Sequence, residues 1–325
     1  MIQFKTLRLL AAAATLIAAG SQLPSSAAAQ GYPNRAVTIV VPFGAGSVTD
    51  AMARVLADKL GTMWKQQVVV ENKPGLPGTV SVAKGTADGY TLMLTSNGHT
   101  IANHINKDVP FDAVKDFSGI TVIASVPFVA IVPVESTAKN LQDFIKLAKD
   151  QPGKLNFSSA GVASTTYLAG ETLKQGADIN IVHVPYKGVP DATNAVIRND
   201  VQLYFAPIPN AKELAAGNKV RMIAISSDKR MPQVADIPTV KESGVPSYKY
   251  DSWFGVMARA GTPKEIIDKV NKDITEALKM PDVVDKLTSF GAVPAPNTPA
   301  QFDAVIKEDT ERYGKVLKAA GVGVN

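Results

Sequence analysis

The 325-residue chain contains no cysteine. That excludes disulfides, thiolate nucleophiles and thiolate metal sites, and leaves apolar burial to hold the fold. A chain of this length buries enough surface to need no staples. Histidine is nearly as scarce, with three in all: His99, His104 and His183. His99 and His104 are five apart in a Gly/Asn-rich stretch, which does not set two imidazoles on one helical face as an i, i+4 metal pair requires. No Gly-x-Ser-x-Gly elbow and no Gly-Lys-Ser/Thr phosphate loop occurs. Aromatic residues make up only 6%, and the net charge of +5 is scattered rather than gathered into a Lys/Arg block. Nucleic acid is therefore not an expected partner, although a mildly positive field favours anionic ligands. Long apolar runs are missing too: the one at residues 9–19 falls short of the ~20 residues that cross a bilayer.

That short run follows Lys5 and Arg8 and precedes the small residues Ala27, Ala28 and Ala29. This is the layout of a secretory signal cleaved after Ala29. Residues 1–29 are thus expected to be an address, and the rest to work in the periplasm, free of the membrane. Without a cysteine after the apolar run, a lipoprotein anchor is chemically impossible. What remains has the length of two domains.

Beyond the leader, short β-branched runs alternate with amphipathic segments, the mark of α/β layering. Strands are expected at residues 37–42, 68–70, 90–95, 120–123, 128–132, 155–158, 181–184, 201–205, 220–226 and 253–258. Helices are expected at residues 49–60, 78–84, 141–149, 164–173, 190–198 and 263–278, with a last one opening near Thr298. Thr262-Pro263-Lys264-Glu265 and Thr298-Pro299-Ala300-Gln301 both read as capping boxes.

One design occurs twice. A strand ends in a small-residue loop that opens a helix at Phe43, Gly44, Ala45, Gly46, Ser47, Thr49 and Asp50, and again at Ser159, Ala160, Gly161, Ser164 and Thr165. Ligands of parallel α/β sheets sit beyond the carboxyl ends of the strands. A helix N-terminus offers them unpaired N–H groups and about half a positive charge. One such loop from each half, facing across a cleft, would grip an anion from both sides.

Other chemistries compete for the same residues. Gly44-x-Gly46 follows a strand and Glu71 closes the next, as in a dinucleotide fingerprint, but Thr49 stands where the third glycine belongs and Glu71 comes late. An exported NAD-dependent oxidoreductase is the rival reading. Asp50 is a candidate base, or simply an acid offsetting a helix dipole. His183, inside an apolar strand, reads as structural. Asn97 and His99 follow a strand end and are candidates for the cleft. Lys187 is either an ammonium near an anion or a solvated loop lysine.

Ordered motifs run along nearly the whole chain after residue 30. They include Tyr32-Pro33-Asn34-Arg35, Ile39-Val40-Val41-Pro42-Phe43, Val69-Val70-Glu71-Asn72-Lys73-Pro74-Gly75 and Ala87-Asp88-Gly89-Tyr90-Thr91-Leu92. Pro152-Gly153-Lys154-Leu155-Asn156, Val182-His183-Val184-Pro185-Tyr186-Lys187-Gly188, Pro238-Thr239-Val240, Trp253-Phe254-Gly255 and Ala260-Gly261-Thr262-Pro263 follow. Together they resemble the solute receptors of tripartite tricarboxylate transporters, the Bug family.

The resemblance implies an α/β, two-domain periplasmic-binding-protein fold, type II-like, with the ligand cleft between domains. Residues 30–127 and 253–325 would form one domain and 128–252 the other. It further implies a non-enzymatic protein without cofactor or metal, taking a small organic carboxylate. The partner would be the membrane permease subunits of a tripartite transporter, or alternatively a sensor kinase. The two strand-to-helix loops would hold the carboxylate, partly through waters, with Asn97, His99, Ala206 and Pro207 completing the cleft. Two departures from the family pattern bear on the ligand. Ser47-Val48 stands where further glycines are common. Phe205-Ala206-Pro207 replaces a strand end that often carries Asp-Asn, which removes a partner for a ligand ammonium and disfavours amino acids. Phe43, Tyr167 and Phe205 then point toward an aromatic or aliphatic mono- or dicarboxylate.

Overall fold

The structure is a computed structural model that describes residues 31–323 apart from Ala163 and Asp251; the expected signal at residues 1–29 lies outside them. Val37–Val41 (β1), Val68–Asn72 (β2) and Thr91–Ser96 (β3) pair in parallel, in the order β2-β1-β3. Trp253–Arg259 (β10) runs antiparallel between β3 and Phe117–Ser125 (β4), and the two residues of Val293–Pro294 (β11) close the far edge. A second sheet repeats the plan. Asn156–Ser159 (β6), Val182–Pro185 (β7) and Leu203–Pro207 (β8) are parallel in the order β7-β6-β8, and Phe128–Pro133 (β5) runs antiparallel between β8 and Val220–Ile225 (β9).

In each sheet the interior antiparallel strand, β10 or β5, is the one that has just arrived from the other. The chain crosses from β4 to β5 through Val126, and returns into β10 through Ser252. The two crossings are tied where the Val126 N–H donates to the Ser252 carbonyl at 2.9 Å. Each sheet with its covering helices makes one lobe.

The helices that matter follow the parallel strands. Val48–Trp64 (α1) follows β1, Leu76–Ala83 (α2) follows β2, and a 3₁₀ turn at Asn97–Ile101 leads from β3 into Ala102–Ile105 (α3). Leu141–Asp150 (α4) precedes β6; Thr165–Gly176 (α5), Val189–Ile197 (α6) and Ile208–Ala216 (α7) follow β6, β7 and β8. Lys264–Ala277 (α8), Pro281–Ser289 (α9) and Pro299–Ala319 (α10) complete the first lobe. In α1 the Ser47 hydroxyl accepts the Asp50 N–H at 3.2 Å, while Met52, Leu56 and Leu60, spaced at i, i+4, i+8, are buried on one face.

The two expected capping boxes part company. At Thr298 both reciprocal bonds form, with Gln301 Oε1 accepting the Thr298 N–H at 2.9 Å. At Thr262 none does. Pro263 takes the N-cap position in extended geometry, and the Thr262 hydroxyl donates instead to the Arg259 carbonyl at 2.8 Å. The turn through Gly261, whose φ is +87°, brings that carbonyl within reach first.

One apolar core passes through both lobes: Val126, Phe128 and Tyr250 at the crossings connect Ile39, Leu92 and Val256 to Phe157, Tyr167 and Leu203. The Tyr250 hydroxyl donates to the Thr165 carbonyl at 2.5 Å, and Lys249 pairs with Glu308 on α10. Among the described residues no helix is long and apolar enough to cross a membrane.

Candidate functional site

The segments that follow the parallel strands of both sheets line one cavity of about 730 Å³ between the lobes. From the first lobe come Phe43, Ser47, Val48 and Thr49 after β1, Gly75, Leu76 and Thr79 after β2, and Ser96 at the end of β3 with Gly98 and His99 after it. From the second come Ala160, Ser164, Thr165 and Thr166 after β6, Lys187, Gly188 and Val189 after β7, and Pro207 at the end of β8. Val126, Phe128 and Phe254 supply the wall at the crossings, and Phe290 joins from the turn after α9.

Four helices thus begin on the cavity wall. In α1 and α5 the cap hydroxyls, Ser47 and Ser164, take the N–H of the third helical residue, at 3.2 Å from Asp50 and 3.1 Å from Tyr167. The N–H groups of Val48 and Thr49, and of Thr165 and Thr166, have no partner within their helices, as the first turn of any helix dictates. In α2 and α6 a proline occupies the second position, which removes one such donor and leaves those of Leu76 and Val189. Partial positive charge therefore gathers on the cavity from several sides. No Asp or Glu is among the described residues that line it, and Lys187 carries the one full charge.

The loops that present these groups are braced from behind. Asp50 is 4% exposed, and its Oδ2 accepts from the Gly46 amide at 2.9 Å and Arg54 Nε at 3.2 Å. Its Oδ1 accepts from Asn72 Nδ2 at 3.0 Å, and the same amide group donates to the Phe43 carbonyl at 3.2 Å. Burial pushes this carboxyl up, but the Gly46 amide, Arg54 and Asn72 together hold it below the usual carboxylate range. In the second loop Thr166 Oγ1 accepts the Ala160 amide at 2.9 Å. Ser159 Oγ accepts the Gly161 amide at 3.1 Å and lies 2.7 Å from His183 Nε2. His183 packs on Phe157 and Tyr167, and burial, with Lys174 nearby, pushes its pKa down to about 4.

The residues singled out from the sequence therefore divide. Phe43, Ser47, Thr49, His99, Ala160, Ser164, Thr165 and Pro207 reach the cavity wall. Gly44, Ala45 and Gly46 form the exposed crest of the first loop, with Gly46 at a φ of +81°. Asp50 serves as a brace, because its carboxylate is taken up by the Gly46 amide, Arg54 of α1 and Asn72 at the end of β2. Ser159 and Ala206 are fully buried, and Gly161 is in the turn that Ser159 holds. Asn97 is buried at the start of the 3₁₀ turn, toward Tyr313. His99 lends the wall a ring but no charge. Its Nε2–H donates to the Ala113 carbonyl at 2.8 Å, it packs against Phe111 and Phe117, and burial pushes its pKa down to about 4.

Two aromatics expected near the ligand are core instead. Tyr167 lies under His183, and Phe205 stacks on Tyr248 at 6.4 Å. Phe128, Phe254 and Phe290 take their place on the wall. The rival dinucleotide acid, Glu71, is half-exposed on edge strand β2 and pairs with Lys73 at 3.0 Å. Missed from sequence were Gly75, Leu76, Thr79, Gly188 and Val189. A strand running into a glycine and a helix was visible at both places and could have found them.

Two lobes joined by crossing strands, with helix N-termini converging on the space between, define a solute-binding protein of the periplasmic-binding-protein fold. The family is then given by comparison. Residues 52–322 match the tripartite tricarboxylate transporter family receptor, TctC, and the chain belongs to that family. It is 34% identical over 326 residues to protein BugT of Bordetella pertussis, covering 97% of this chain and 98% of BugT. Among solved structures it is similar to Rpa4515 of R. palustris with adipate, at 32% identity and a TM-score of 0.75, covering 90% of this chain and 99% of that one. It is also similar to the periplasmic binding protein BugD (31%, TM-score 0.73, 90% and 99% covered). MatC from Rhodopseudomonas palustris with bound malate stands at 28% identity and a TM-score of 0.72, with 88% and 100% covered.

Proposed function

We propose that this protein is a periplasmic receptor that captures a small organic carboxylate between its lobes and presents it to the permease subunits of a tripartite transporter. The observation that carries this reading is the cavity wall. Helix N-termini converge on it from both lobes, no acidic side chain is among the described residues that line it, and Phe43, Phe128, Phe254 and Phe290 offer an apolar bed for a carbon skeleton. Backbone N–H groups and hydroxyls bind a carboxylate directly or through water at little cost. An ammonium would find no carboxylate partner there, so amino acids are disfavoured. Residues 30–127 with 253–325, and 128–252, act as the two bodies, and the crossings at Val126 and Ser252 serve as the hinge. Adipate and malate in the relatives support the ligand class. Capture by such a wall involves no bond making, so the role is binding without catalysis and needs neither cofactor nor metal.

A thermal-shift screen of the purified protein against aliphatic and aromatic carboxylates, amino acids, sugars and NAD tests this. Ligand at 100 times its Kd adds about 2.7 kcal/mol, which raises Tm by several degrees in a protein of this size. The expected result is a rise with a subset of carboxylates. A rise with NAD alone would sink the receptor reading.

A further inference from the structure

We propose that Lys187 makes the cavity select dianions over their monoanionic analogues; the inference rests on the carboxylate-receptor reading above. Lys187 lies between β7 and Gly188, the N-cap of α6, and is exposed to the cavity it lines. Its segment is fixed to the second loop, because the Tyr186 N–H donates to the Ser159 carbonyl at 3.0 Å. No ion pair or hydrogen bond within the described residues holds its ammonium. No acidic side chain among the described residues of the wall compensates it either.

The cavity therefore has two anion-seeking poles of different kind. The paired N-termini of α1 and α5, with the hydroxyls of Ser47 and Ser164, receive one carboxylate without a formal cation. Lys187, with the Val189 N–H behind it, is a second pole carrying full charge. A monoanion satisfies one pole and leaves an ammonium facing a wall with no acid. A dianion satisfies both. The second negative group, and not the length of the carbon skeleton, is then what Lys187 reads.

Calorimetric titration of the whole protein with matched pairs tests this: succinate and butyrate, adipate and hexanoate, terephthalate and benzoate. For at least one pair the wild type is expected to bind the dianion ten times more tightly or better, with an affinity that weakens as salt is raised. Lys187→Gln removes that preference and most of the salt dependence, and leaves the monoanion within about twofold; Lys187→Arg retains the preference. Equal loss for both members of a pair would mean that Lys187 only shapes the loop, and an unchanged preference would mean that it does nothing; either overturns the proposal. A wild type that binds monoanions as tightly as dianions overturns it too, but leaves the receptor reading standing. A wild type that binds none of the six overturns the proposal, and the receptor reading falls with it only where the thermal-shift screen also finds no carboxylate.

Discussion

A buried titratable group reports its surroundings through the proton it refuses. His99 is 6% exposed, sandwiched near Phe111 and Phe117, and its pKa is pushed down to about 4 by burial. An unfolded histidine titrates near 6.5. Between those values the unfolded chain binds a proton that the native protein does not, so stability rises with pH across the window. The contribution is complete above about pH 6.5 and is lost progressively as pH falls toward 4. At ~1.4 kcal/mol per pH unit, moving from pH 7.5 to 4.5 should cost about 2 kcal/mol through this one residue. Urea unfolding of wild type and His99→Gln at both pH values checks it. The variant starts less stable at pH 7.5, for want of the bond to the Ala113 carbonyl, but should lose about 2 kcal/mol less on acidification. Parallel losses would show that His99 takes no part. Asp50 differs in cause but not in direction: its bracing donors favour the charged form that burial alone would suppress, so its contribution too is lost as pH falls.

Among the elements, the two Thr-Pro helix starts show how a local motif depends on what else its hydroxyl can reach. Thr298→Ala should cost about 1 kcal/mol, because it deletes a working cap, and Thr298→Asp should restore it. At Thr262 an aspartate should not rescue the loss seen with alanine. The native hydroxyl is a donor there, to the Arg259 carbonyl, and a carboxylate can only accept. Thr262→Ser, which keeps the donor, should be near neutral; equal rescue by aspartate at both sites in thermal unfolding would refute the distinction. The runs that became β1, β5 and β8 were legible because strands buried on both faces are almost wholly apolar or aromatic, and no register argument was needed. Helix α7 was not legible, since Pro207-Ile208-Pro209 reads as a strand end until the proline is seen as a tolerated second helical residue. Helix α9 went unseen for a like reason, opening on Pro281 without a side-chain cap. The cavity's two main loops were visible as strand, small residues and cap. Phe254 and Phe290 were not, because their place on the wall comes from tertiary packing and not from a local pattern; Phe254, for one, sits opposite Ser96 on β3.

At the scale of the whole molecule, the lobes also meet at Gly291, apart from the crossings and from the contact of α5 with α10. It follows Phe290 of the cavity wall, belongs to the first lobe, and has a φ of +75°. A Cβ built there would sit 2.8 Å from Cδ and 3.3 Å from Cγ of Pro209, in the first turn of α7 in the second lobe. Proline's ring cannot swing aside, so Gly291→Ala must part the lobes at this edge or strain them. Two effects then separate. The left-handed backbone costs an alanine about 1 kcal/mol whether the lobes are together or apart, so it lowers stability without touching affinity. The clash exists only when the lobes approach as they do here, so if ligand is held at this approach the clash penalises that arrangement and not one with the lobes further apart. A penalty of 1–2 kcal/mol on that state weakens apparent affinity by roughly five- to thirtyfold. Gly291→Ala should therefore bind a carboxylate identified by the screen several-fold more weakly, and show a larger radius of gyration with ligand bound by small-angle scattering. Adding Pro209→Ala, which takes away the ring atoms the new methyl would strike, should restore the affinity while the stability loss remains. If the double variant recovers nothing, the contact does not gate closure.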